Sequence, residues 1–109
     1  MIVSERNVSD ALSYLAIDPH PIALARKDLT DAENDVKETY ANAFLEAEGS
    51  VAAKEAEATL HRAVIDRKRA EADAILALER HKARMKAAEM LIEVWRSENA
   101  NVRAAERVR

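Results

Sequence analysis

The chain has no cysteine, one glycine, two prolines and four aromatic residues among 109. Without cysteine there is no disulfide framework, no thiolate metal site and no Cys nucleophile. So few turn formers and aromatics cannot supply the many tight corners of a β-sandwich or barrel. No apolar run approaches the roughly 20 residues that span a bilayer, so no membrane partner is expected. Met1 to Asp18 lacks the basic patch and apolar stretch of a signal peptide, which points to a cytoplasmic protein. Chemistry-bearing motifs are also missing: there is no Gly-rich phosphate loop, nucleophile motif or paired acid–base set. Di-metal helical bundles need inward-pointing Glu-x-x-His repeats. Here Glu57 and His61 stand four apart, Glu79 stands two before His81, and His20 lies between two prolines. No catalytic residue, metal ligand or cofactor is therefore assigned, and the chain is expected not to be an enzyme.

What is present is alanine, 23 residues of it, in a chain that is 34% charged. Ala, Glu, Lys, Leu and Arg together describe long helices and coiled coils. Asp18-Pro19-His20-Pro21 interrupts any helix, because proline disfavours helical backbone in the residue before it. Glu48-Gly49-Ser50 holds the only glycine, suited to end one helix, with Ser50 to cap the next. Ser97 to Asn101 reads as a weaker break. Three helices follow, over about 9–17 with Ser9 as cap, 21–48 with Pro21 in the first turn, and 51–97. Residues 1–98 read as a single helical domain and 99–109 as an Arg-rich tail that frays. The third helix, roughly 70 Å at the α-helical rise, exceeds an ordinary globular helix and indicates a coiled coil.

Apolar spacing predicts how the helices pair. Ile22, Ala25, Leu29, Ala32 and Val36 follow steps of three and four along the second helix. Along the third, Ala56, Ala63, Ala70 and Ala77 recur every seven residues, a pattern that allows close helix approach. A second stripe, Val51, Ala58, Ile65, Ala72, Leu76, Ala83, Met90 and Val94, lies on another side. The fold class expected is all-α: an antiparallel coiled-coil hairpin with a short N-terminal helix, completed into a bundle by self-association. If Ala47 faces Val51, the third helix runs some twenty residues past the second. The first helix then either follows that extension, bringing Tyr14 and Leu15 near Met85, or folds back across the hairpin. Met90, Leu91, Ile92, Val94 and Trp95 are the expected oligomer or partner surface, since a thin hairpin cannot bury an all-round apolar segment.

Charge is divided along the chain. Residues 1–49 carry a net −6 and residues 50–109 a net +3. Arg62, Asp66, Arg69 and Asp73 alternate in sign as a surface ladder. Asp28, Asp31, Asp35 and Glu38 form an acidic row, the solvated face of an amphipathic helix. Arg80, Lys82, Arg84 and Lys86 place like charges four apart, and are read as a basic patch that steers an acidic ligand. Arg96, Arg103, Arg107 and Arg109 add a second basic feature. Direct, salt-sensitive DNA binding needs such clusters, but an overall acidic balance and the lack of a stacking platform argue against it.

The stretch Ala43-Phe44-Leu45-Glu46-Ala47-Glu48-Gly49-Ser50, then Ala53-Lys54-Glu55-Ala56, and Met90 through Ser97 resemble small uncharacterised helical hairpin proteins of tailed phages and prophages. The resemblance spans about residues 22–98 and transfers no catalytic residue. It implies a bacterial host, and a non-enzymatic accessory role beside a protein of nucleic-acid metabolism, in replication or recombination. The alternative is a phage inhibitor that occupies a host defence or replication enzyme, its acidic first half mimicking nucleic acid. In either case the expected partners are a second copy of the chain and another protein.

Overall fold

The computed structural model describes residues 3–108; Met1, Ile2 and Arg109, which belong to the N-terminal stretch and arginine tail considered above, lie outside the described residues. The fold is all-α, four helices without a strand among the described residues: α1 (Glu5–Leu15), α2 (Pro21–Glu46), α3 (Val51–Leu60) and α4 (Arg62–Val108). Contacts gather into two compact units, one of residues 22–79 and one of residues up to 21 together with those from 80 on.

In the first of these, α2 and the α3–α4 segment form the antiparallel hairpin. Gly49 turns the chain with φ 109°, a left-handed conformation that disfavours side chains, and a Cβ there would stand 3.3 Å from Cβ of Ala53. Ser50 then caps α3, its Oγ accepting from the amide of Ala53 at 3.2 Å. Ala43 of α2 packs with Ala58 and Val64, and Tyr40 and Phe44 close the cluster. Further along, Arg67 reaches Asp35 at 3.9 Å. The expected register placed residue 35 opposite 63, so the second arm is displaced by one helical turn.

The expected unbroken helix from Val51 to Ser97 is interrupted at His61, which adopts extended backbone (φ −63°, ψ 132°). No glycine or proline marks the place. His61 accepts from the amide of Ala63 through Nδ1 at 3.2 Å, and its carbonyl accepts from Ile65 at 3.0 Å, so an imidazole serves as the cap of α4. Ala58 and Val64 are six residues apart and would point about 120° from one another on one straight helix. The extended residue turns both onto Ala43, and both are fully buried.

The seam on α2 comprises Ile22 and Ala25, which are buried, and Leu29, Ala32 and Val36, which are half-buried. On the opposing arm the alanine series is not the seam: Ala56, Ala63 and Ala70 are all exposed. Val64, Ala74 and Leu78, together with Glu71, face inward instead, one position on from that series, a rotation of about 100°. Burying a Val or Leu side chain contributes about 1.5–3 kcal/mol, while an alanine offers one methyl, so the branched residues set the rotation.

In the second unit α1 runs antiparallel to the C-terminal half of α4. Tyr14 Oη donates to the carbonyl of His81 at 3.3 Å, Ala11 and Tyr14 pack with Ala88, and the Val3 amide donates to Glu98 Oε2 at 2.9 Å. Leu15 and Met85 join this cluster, so the first helix follows the extension. It begins at Glu5 and not near Ser9: Ser4 is the cap, its Oγ accepting from the Asn7 amide at 3.1 Å, and Glu5 faces the positive helix end. Val3 and Val8 hold the two positions of a hydrophobic staple, and both are buried. Nor does α4 stop at Ser97; it continues to Val108. Ser and Asn are only modestly poorer helix formers than Ala, and adding residues to an existing helix is far easier than starting one.

Candidate interaction surface

The five residues expected to form one apolar surface are divided by α4. Leu91 and Ile92 pack against the cluster of Ala11, Tyr14 and Ala88, so α1 already covers them. Trp95 is half-buried and lines shallow grooves with Val102 and Asn99. Met90 and Val94 remain outside, 57% and 38% exposed. At about 100° per residue they lie on the side of α4 away from Met85, Ala88 and Ile92. Ala83 and Ala87 share that side and are exposed. The outward face of this unit is therefore a stripe at alternating steps of four and three: Ala83, Ala87, Met90, Val94.

The basic residues divide in the same way. Arg80, Lys82, Arg84 and Lys86 are all exposed, but residues two apart on a helix point in nearly opposite directions. Arg80 and Arg84 lie on one flank of the outward stripe, Lys82 and Lys86 on the other. The single patch expected from the sequence is two rows with an apolar strip between them. Arg84 is engaged within the unit, its guanidinium carbon over the Tyr14 ring at 4.1 Å from the centre, a cation–π contact. His20 meets the same ring edge-on at 4.9 Å. A shallow groove beside these groups runs between Asn7, Asp10, Ala11 and Tyr14 of α1 and Arg84, Ala87, Ala88 and Leu91 of α4.

Other charges are matched locally. Arg96 contacts Glu93 at 3.4 Å, and Arg103 Nε donates to the carbonyl of Asn99 at 3.4 Å. Arg62 pairs with Asp66 at 3.1 Å, as the alternating ladder predicts. In the acidic row of α2, Asp31 takes Lys27 at 2.7 Å and Asp35 takes Arg67. The Asp31 hydrogen bond and charge, helped by Asp28, raise the Lys27 ammonium above its ordinary pKa. This pair is open to solvent and adds little to stability. Among the described residues no three His, Asp or Glu side chains gather where a metal ion would sit, and no helix is long and apolar enough to cross a membrane.

Sequence reasoning missed two features of this surface. Leu12 of α1 is half-exposed, and Val102 lines a groove with Trp95. Val102 falls in the segment expected to fray, where the apolar spacing assigns no helical face. Comparison with family models, curated proteins and solved structures returned no match for the chain.

Proposed function

We propose that this chain is a non-enzymatic helical interaction protein of the phage accessory type, which self-associates and serves a protein of replication or recombination. The observation that supports this reading is the outward stripe of α4, with Met90 and Val94 exposed on a helix whose other side is already covered by α1. A regular apolar strip flanked by charge is the pattern by which helices recognise other helices. The likeness to phage hairpin proteins supplies the accessory role, and the cationic rows suit an acidic partner face.

Light scattering tests the self-association. Met90→Glu combined with Val94→Glu is expected to lower the solution mass while helicity by circular dichroism is retained. A wild-type chain that is monomeric throughout, or a mass the double variant leaves unchanged, removes this role from the stripe. Affinity capture tests the second partner: a phage-encoded replication or recombination protein supports the accessory role, and a host defence or replication enzyme replaces it with inhibition.

A further inference from the structure

Resting on the reading of the outward stripe as a self-association surface, we infer that a second copy of this chain packs on α4 antiparallel, with Met90 over Ala87 and Val94 over Ala83 of the second copy. Ala83 and Met90 recur at one heptad position of the stripe, and Ala87 and Val94 at the other. Antiparallel helices pair one of these positions with the other. One register satisfies all four residues at once: Met90 meets Ala87, Val94 meets Ala83, and the same two contacts repeat about the two-fold axis. Each large side chain then faces a methyl, so the helices keep an even, close separation. Parallel pairing in register sets Met90 on Met90 and Ala83 on Ala83, which leaves the spacing uneven.

Charge selects the same arrangement. In antiparallel pairs, residues on one flank meet residues on the same flank of the second helix. Lys86 and Glu93 share a flank, and this register sets Lys86 opposite Glu93 of the second copy, twice by symmetry. Arg80, one heptad before Ala87, then lies level with Ser97 of the second copy. Parallel pairing instead stacks Arg80 on Arg80 and brings Glu93 beside Glu98, like charge on like. Its single compensation is Glu79 beside Arg84. Glu93 has only an exposed 3.4 Å contact with Arg96 in its own chain, and Glu93 and Arg96 are both about 70% accessible, so the new pair costs little. α1 borders the stripe on one flank, where Ala87 lines a groove with Asn7, Asp10 and Ala11, and the Lys86 and Glu93 flank lies on the other side.

The absence of cysteine makes the test direct. Two single variants, Ala83→Cys and Val94→Cys, are oxidised separately and as an equimolar mixture. In the inferred register Cys at 83 and Cys at 94 of different copies face one another, within the Cα separation a disulfide needs. Like positions lie about 16 Å apart along the axis, beyond that reach. The expected result is a covalent dimer from the mixture and none from either variant alone. Cross-linking of either variant by itself shows a different arrangement and overturns the inference. A dimeric mass by light scattering without a cross-link in the mixture also overturns it, yet leaves self-association standing. A monomer at all concentrations ends both. Independently, Lys86→Glu is expected to weaken dimerisation about tenfold, the sum of two modest pairs made repulsive, and adding Glu93→Lys to restore it. Absence of rescue overturns the register.

Discussion

Tyr14 shows how much one side chain can hold in a molecule with four aromatics. It is 4% exposed, donates to a backbone carbonyl of α4, and carries the guanidinium of Arg84 on its ring. Tyr14→Ala is expected to cost about 3–5 kcal/mol, as large aromatic truncations do, because the cluster has only alanines and half-buried neighbours with which to refill the space. Tyr14→Phe keeps the ring and forfeits one hydrogen bond, about 1 kcal/mol. Urea denaturation of both variants separates the two contributions, and equal losses would contradict the packing role of the ring. Gly49 is the other position where a single residue decides. With φ at 109° and Ala53 close by, Gly49→Ala is expected to destabilise the hairpin by about 1–2 kcal/mol, read as a lowered Tm.

At the scale of the element, what decides is where each helix begins. Ser4 and Ser9 are both plausible caps by residue type. The staple formed by Val3 and Val8, with Glu5 in the first turn, selects Ser4 and leaves Ser9 exposed inside α1. Ser4→Ala is accordingly expected to lose about 1 kcal/mol of α1 stability, and Ser9→Ala to lose none, since alanine is the better helix former there. Amide exchange across residues 5–15 measures the difference. Ile92 changes its expected part in the same way. Expected on the open partner surface, Ile92 is instead seated against α1, so Ile92→Asp is expected to undock α1, and fluorescence of nearby Trp95 reports it. The α2 stripe was legible because Ile22, Leu29 and Val36 are its largest side chains and recur at one spacing. The opposing seam lies one position from the four alanines in perfect heptad order, because Val64 and Leu78 bury more surface than any alanine.

Across the whole molecule the core is thin. Twelve hydrophobic residues of the described chain are buried, four of them in α2 and the turn after it, and Val64 is the largest side chain fully removed from solvent. Each unit pairs two helical layers, which leaves one side of every helix in water and limits the apolar area that can offset chain entropy. If copies associate as proposed, association is coupled to folding, because a dimer stabilises the folded state by mass action. Tm is expected to rise by several degrees over a 100-fold increase in concentration for the wild-type chain, and to be flat for the Met90→Glu, Val94→Glu variant, by differential scanning calorimetry. A flat wild-type curve would place folding entirely within one copy.

All-α class, the positions of the Pro19–Pro21 and Gly49 breaks, the α2 stripe and the lack of thiol chemistry were determined by residue identity alone, because backbone conformation at proline and glycine and the helical period are local properties. The cap at His61, the rotation of α4 and the division of Met90 to Trp95 between covered and open faces were decided by tertiary structure. Each depends on which neighbour competes for a given face: one extended residue allows Ala58 and Val64 to reach Ala43 together, and α1, by taking Leu91 and Ile92, leaves Met90 and Val94 to the solvent side. Competition of that kind is settled by areas buried between segments far apart in sequence, and periodicity within one segment does not contain it.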